Sequence, residues 1–168
     1  MVLDSLSRFA LASFFMLLSP CVFAATANET ALRETIRQMD DAFNAHDIER
    51  FLSFYVPDPD SIYFEAEKSL QIKGIDGMKQ YAKTLMDPRW QMYQHTTIES
   101  LAVDQRLAVI VCIQKAGWID PDKKIEQTQM GRFTYVLKKV DGRWLVWHEH
   151  NSLPDDYETG KAIFDAKP

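Results

Sequence analysis

The chain has 168 residues, 19 basic against 24 acidic, with a net charge of −5 and a pI near 5.3. Nucleic acid and anionic membranes reward clustered Lys and Arg, so this balance argues against both as partners. Hydrophobic residues at 46%, with 12% aromatic and 26% charged, are the make-up of a globular domain.

The N-terminus has the layout of a secretory signal peptide. Arg8 and the free amine precede an apolar run from Phe9 to Leu18, followed by Pro20. Val22-Phe23-Ala24 then sets compact residues before a cut ahead of Ala25, and the run is too short to span a bilayer. Residues 1–24 are therefore expected to be removed, leaving 25–168 as a single domain large enough for its own core. The expected destination is the periplasm or the exterior, with no membrane attachment after cleavage. Cys21 leaves with the leader, so Cys112 stands alone and forms no internal disulfide. In the apolar run Leu107–Ile113 it reads as a buried, inert thiol.

Asn28 or Thr30 caps a helix running to about Ala45, in which Leu32, Ile36, Met39 and Phe43 recur at helical spacing. Asp47 caps a second, shorter helix through Phe51, Phe54 and Tyr55, which Pro57 and Pro59 end. Ser61–Glu65 and Leu70–Lys73 read as a short hairpin. Gly74-Ile75-Asp76-Gly77 leads into a third helix carrying Met78, Tyr81, Ala82 and Leu85, stopped at Asp87-Pro88. Four strand-like segments follow, near 91–103, 107–119, 125–139 and 143–152. Their turns are Asp104-Gln105-Arg106, Asp120-Pro121-Asp122 and Asp141-Gly142. Asp-Gly is the strongest local signal, because it supplies the positive φ angles that a two-residue hairpin requires. Short connections make the four strands an antiparallel meander, and only the early helices are available to cover its apolar face. The fold class is α+β.

Counting outward from Asp141-Gly142 sets a register in which Val140 faces Arg143, Tyr135 faces His148, Phe133 faces His150 and Arg132 faces Asn151. One sheet face then carries Phe133, Tyr135 and Leu137 with Trp144, Val146, His148 and His150. The other carries Thr134 and Val136 with Leu145, Trp147, Glu149 and Asn151, and pairs Arg132 with Glu149. Both faces are partly apolar, so periodicity does not choose the inner one.

Two helices, a hairpin, a third helix and a meander ending in Trp-x-x-x-His-x-His-x-Ser resemble the NTF2-like superfamily of cone-shaped folds. Within it the chain resembles the SnoaL-like group and, most of all, the association domain of calcium/calmodulin-dependent kinase II. The stretches that carry the likeness are Phe64-Glu65-Ala66-Glu67, His95-Thr96-Thr97-Ile98 and Asp141-Gly142-Arg143-Trp144 running into His148-Glu149-His150-Asn151-Ser152. The resemblance implies helices packed on a curved antiparallel sheet around a pocket, with Gln114, Trp118, Tyr135 and His148 looking in near Met78. Where the kinase hub has cavity arginines, this chain holds Gln114, Tyr135 and Asn151. The implied cavity is therefore neutral and aromatic, with hydrogen-bonding groups, a make-up that suits a small molecule.

His148 and His150, two apart on a strand, share a face, and Tyr135 lies across from His148. A histidine facing a phenol in a low-polarity cavity can shuttle a proton, so His148 and Tyr135 are the candidate catalytic pair. The same rings could equally be structural groups at the end of the last strand. Tyr63, Gln114, Trp118, His150 and Met78 are the candidate ligand contacts. His148 and His150 could share a metal ion, with His95 or a carboxylate as third ligand, but no committed ligand spacing supports it, and no metal or cofactor is expected. Asp58 and Asp60 read as turn formers. Glu65 or Glu67 could serve as a base at the cavity mouth, as an acid does in the ketosteroid isomerase branch, although exposure at a strand edge is the plainer expectation.

Two functions lead, with a metal-dependent enzyme a distant third. One is an exported protein that binds a small neutral or weakly polar molecule, extending to a cofactor-independent isomerase or lyase that works by proton transfer. The other is a self-association module resembling the kinase hub, a homodimer or larger homo-oligomer, since Leu145 and Trp147 would otherwise meet water.

Overall fold

The computed structural model describes residues 20–66, 70–120, 122 and 125–163. Most of the expected leader, residues 1–19, lies outside the described residues, and so does Glu67.

Helix α1 (Pro20–Asn44) buries the stripe Leu32, Ile36, Met39 and Phe43, each no more than 3% exposed. Its outer face is laced by Arg33–Glu29, Arg37–Glu34 and Arg37–Asp41 ion pairs. His46, at φ +55°, breaks the helix just after its end. Helix α2 (Ile48–Leu52) starts at Asp47, whose carboxylate accepts from the Arg50 amide at 3.0 Å, as the sequence suggests for an N-cap.

Strands β1 (Ile62–Phe64) and β2 (Ile72–Lys73) pair as the expected hairpin. Helix α3 (Gly74–Leu85) begins at a glycine with φ +67°, where a Cβ would sit 2.7 Å from the Pro59 carbonyl oxygen. No other residue fits that approach. Met78 and Ala82 on α3 face the core.

The meander is β3 (Tyr93–Val103), β4 (Leu107–Asp120), β5 (Ile125–Val140) and β6 (Arg143–Ser152), within two residues of the expected segments. A further short hairpin, β7 (Asp155–Asp156) with β8 (Lys161–Ala162), carries no sequence signal that was read. The main sheet has the order β2-β1-β6-β5-β4-β3, antiparallel except where β1 lies parallel to β6. The sheet curves around α1 and α3, and its concave face carries Ile110, Cys112, Phe133, Tyr135, Leu137 and Val146 in the core.

Cys112 is free and buried, and desolvation pushes its thiol up to about 12, so it stays inert as expected.

The register of the last hairpin corrects the counted one. Val140 does face Arg143, and Leu137 faces Val146, but the next pair is Val136 with His148. Trp147 is the extra residue of a β-bulge, so every later residue of β6 is displaced by one. Tyr135 therefore faces Glu149, Phe133 faces Asn151 and Arg132 faces Ser152. The physical reason lies on the far edge of β6. Before Trp147 the strand bonds to an irregular segment, through Val56 N–H to Val146 O and Val146 N–H to Phe54 O, each at 2.8 Å. After Trp147 it bonds to β1, with Tyr63 beside Glu149. The bulge sits where one neighbour hands over to the next.

Candidate active site

The slip of one residue exchanges which side chains look into the cone. His148 and His150 leave the inner face, and Glu149 and Asn151 enter it. His148 donates from Nδ1 to the Ile62 carbonyl at 2.6 Å, because a carbonyl can only accept, and its ring stands edge-on to Phe64. Phe64 meets His150 in the same way. The expected cavity position of His148 is thus corrected: it lies on the β1 side of the strand and does not line the cavity. Tyr63 is fully buried in the core against Tyr55, and Trp118 is half-buried, so neither lines the cavity. Gln114, Tyr135 and Met78 do line it. The expected Arg132–Glu149 pair is absent among the described residues. Arg132 donates instead to the Leu153 carbonyl at 3.1 Å, and Glu149 is inside. Glu65, more plainly expected at an exposed edge, also lines the cavity.

The enclosed space is about 60 Å³. Pockets for drug-sized ligands run to roughly 300–1,000 Å³, so this one accommodates a small group of atoms. Its floor is aromatic, with Phe43, Phe51, Tyr55 and Tyr135 all buried, while Tyr81, Leu85, Met92 and Gln129 are partly exposed at the mouth.

Two carboxyl groups meet there. Glu149 is 4% exposed, and its Oε2 accepts a 2.7 Å hydrogen bond from the Tyr55 hydroxyl. Glu65 Oε2 accepts from the Tyr81 hydroxyl and from Asn151 Nδ2, both at 3.2 Å. Its other oxygen, Oε1, is buried with no donor. Desolvation, then the nearby Glu65 charge and a hydrogen bond to Glu65, raise the Glu149 carboxyl well above its ordinary range, against a smaller downward pull from Tyr55. A protonated Glu149 supplies the donor that Glu65 lacks. The Tyr55 and Tyr135 phenols are raised as well, by desolvation first and by the Glu149 charge second, so both stay protonated.

The opposite wall is organised by a third acid, the buried Asp40 on α1. It accepts from Gln94 Nε2 at 2.8 Å, from the Thr96 amide at 2.7 Å and from the Thr96 hydroxyl at 2.9 Å. Having given its proton to Asp40, Thr96 Oγ1 accepts from Gln114 Nε2 at 3.1 Å. Asn44 braces the same strand, bonding both the amide and the carbonyl of Gln94.

Sequence reasoning missed Glu149, Tyr55, Asp40 and Gln94 as members of this site. One signal was available for Glu149. The resemblance puts Asn151 in the cavity, and residues two apart on a strand share a face, so Glu149 belongs there too. That conclusion conflicts with simple counting from the turn, and the conflict marks the bulge.

With the cone and its acid pair described, comparison with known proteins is informative. A SnoaL-like domain family matches residues 32–156. The chain belongs to this family. Solved structures agree on the NTF2-like fold. An NTF2-like protein of unknown function from Pseudomonas putida is 28% identical, with a TM-score of 0.74 over 85% of this chain and 98% of that one. An NTF2-like superfamily protein from Salmonella enterica is 16% identical, with a TM-score of 0.66 over 84% of this chain and 99% of its own. A protein described as a calcium/calmodulin-dependent protein kinase II association domain, from Xanthomonas campestris, is 15% identical, with a TM-score of 0.61 over 98% and 100%. A search of the curated proteins finds no match. The SnoaL-like domain family thus carries the fold expected from the sequence, and the cone in this member adds Glu65 and Glu149 to the neutral lining expected from Gln114, Tyr135 and Asn151.

Proposed function

We propose that this chain is an exported SnoaL-like protein that binds a small molecule in its cone and moves a proton on it, as a cofactor-independent isomerase or lyase. The observation that carries this reading is the Glu149–Glu65 pair, two carboxyl groups lining one aromatic cavity, the buried one raised well above its ordinary range by desolvation. Such a pair offers both halves of a proton transfer. Glu65 accepts a proton from the substrate, and Glu149 donates its own to the atom where negative charge develops. The pair ends with one proton, now on the other partner. Tyr55 holds Glu149 in place, and the Tyr135 phenol, kept neutral, is a further donor to a developing oxyanion.

Native mass spectrometry of the full chain tests the binding half. A small co-purified mass, lost on denaturation, is expected, and turnover of that compound should disappear in Glu149→Gln while the fold persists. A chain that carries no such mass and takes up no small molecule from a metabolite panel would overturn the reading.

A second reading, self-association, is favoured by one feature. Leu107, Val109 and Val111 on β4 and Trp147 on β6 are exposed large apolar side chains on the convex side of the sheet. Leu145, expected among them, is already buried within the chain. A homodimer through this face would cover the patch. Light scattering that returned a monomer at micromolar concentration would count against it.

A further inference from the structure

Three side-chain amides at the cavity, those of Gln94, Gln114 and Asn151, each spend their NH₂ on a neighbouring side chain. Asp40 can only accept, so the Gln94 amide must turn its NH₂ to Asp40 and leave its oxygen as the free end. The Thr96 hydroxyl spends its proton on Asp40, so Gln114 must likewise present NH₂ to Thr96 and keep its oxygen free. On the other wall Asn151 gives Nδ2 to Glu65, and its Oδ1 is left with no donor. Three amides are thereby oriented by two carboxyl groups, each with its carbonyl end unspent. Tyr135, 3% exposed, lines the same space without a hydrogen bond from its hydroxyl to the described residues.

Charge points the same way. Glu65 and Glu149 both line the cavity, and among the described residues no Lys or Arg does. The walls are aromatic faces, which attract cations and are indifferent to anions at best. A carboxylate ligand would meet amide oxygens and two carboxyl groups, with the Tyr135 hydroxyl to donate but no Lys or Arg in the lining to balance its charge. An ammonium meets acceptors, a counter-charge and π faces at once.

We propose that the molecule this cavity takes up is a small organic cation, a primary or secondary ammonium. The inference rests on the reading of the cone as a small-molecule site and names its ligand class. The space of about 60 Å³ limits the buried part to an ammonium and a few carbons.

The test uses the full chain labelled at the methionine methyl groups, because Met78 and Met92 both line the cavity and report occupancy directly. Ethylammonium is titrated against two probes of similar size, neutral 1-propanol and propionate. Ethylammonium should move the Met78 and Met92 signals with an affinity about tenfold or more above the neutral probe, the effect of a hydrogen bond to a charged group. Propionate should leave them in place. Glu65→Gln should bring ethylammonium down to the affinity of 1-propanol while changing the affinity for 1-propanol little. Gln114→Met, which removes an oriented oxygen at nearly constant volume, should weaken ethylammonium in the same direction.

If propionate or 1-propanol occupies the cavity as well as or better than ethylammonium, the cation proposal falls and the small-molecule site stands. Ethylammonium binding that Glu65→Gln leaves unchanged also overturns it. If no probe moves either methyl signal, the proposal and the reading of the cone fall together.

Discussion

Asp40 and Glu149 are both buried acids, 7% and 4% exposed, one behind the cavity wall at Gln94 and one lining the cavity, and the fold treats them in opposite ways. Asp40 receives two donors from Thr96 and one from Gln94. Glu149 receives one phenol and faces another acid. Equal burial thus goes with different surroundings, one carboxyl met by three donors and the other by a phenol and a second acid. The served acid braces the sheet against α1. The unserved one is left poised for exchange, and that contrast is the basis of the proposed function.

The largest effect should come from removing the served acid. Asp40→Ala leaves an amide, a hydroxyl and a side-chain NH₂ without their acceptor, a loss of about 3–5 kcal/mol. Thermal melting should fall by roughly 10 °C for a domain of this size. A drop of less than 3 °C would show that Asp40 is not the brace.

Relieving the unserved acid should do the reverse in one pH range. The folded-state value of Glu149 is raised, so between the ordinary value of 4.5 and that raised value the folded chain holds more protons than the unfolded one. Its contribution to stability is whole below 4.5 and is lost as pH rises through the raised value. The slope is at most about 1.4 kcal/mol per pH unit. Glu149→Gln, which keeps a donor for Glu65 at every pH, should flatten this decline and melt higher than the parent at alkaline pH. Melts from pH 4.5 to 9 check it, and parallel curves for the two proteins would refute it. The exposed pairs act in a separate window. Arg37 and Arg89 hold Glu34 and Asp87 down to about 2, so their contribution is present above the usual carboxylate range and fades as pH falls toward 2.

His148→Ala is the control off the cavity. It removes the hydrogen bond to Ile62 and the contact with Phe64, about 1–2 kcal/mol or several degrees of melting. Occupancy of the cavity should be unchanged, as read at Met78 and Met92. Altered binding there would return His148 to the site.

The smallest effect sharpens the contrast most. Tyr55→Phe deletes the one hydrogen bond that pulls Glu149 downward. Stability near neutral pH should change by about 1 kcal/mol, while the decline with rising pH should extend to higher values. A decline that moved to lower pH would mean that Tyr55 favours the protonated acid.

Chain order, element type and turn chemistry were legible because each has a local cause. The stripe Leu32, Ile36, Met39 and Phe43 needs only helical periodicity, Asp47 needs only its own carboxylate, and Asp141-Gly142 needs only positive φ, here +49° and +81°. Asp58 was legible in the same way, its Oδ1 accepting from the Asp60 amide across the turn. The resemblance added the cone and placed Gln114, Tyr135 and Met78 correctly on its wall.

The face of β6 that turns inward was not decided locally. Counting from the turn holds as far as Val146 and fails at Trp147, since the bulge answers to a change of neighbour from Phe54–Val56 to β1, and those segments are nearly a hundred residues away. Trp147 itself fits a regular strand, so nothing in its identity announces the extra residue. The sequence, through the resemblance it carries, therefore determined that a cone around an aromatic pocket would form. Tertiary structure decided that the pocket would hold Glu149 and Asn151 instead of His148 and His150, because strand register belongs to both edges of a strand and only one of them is set by the hairpin.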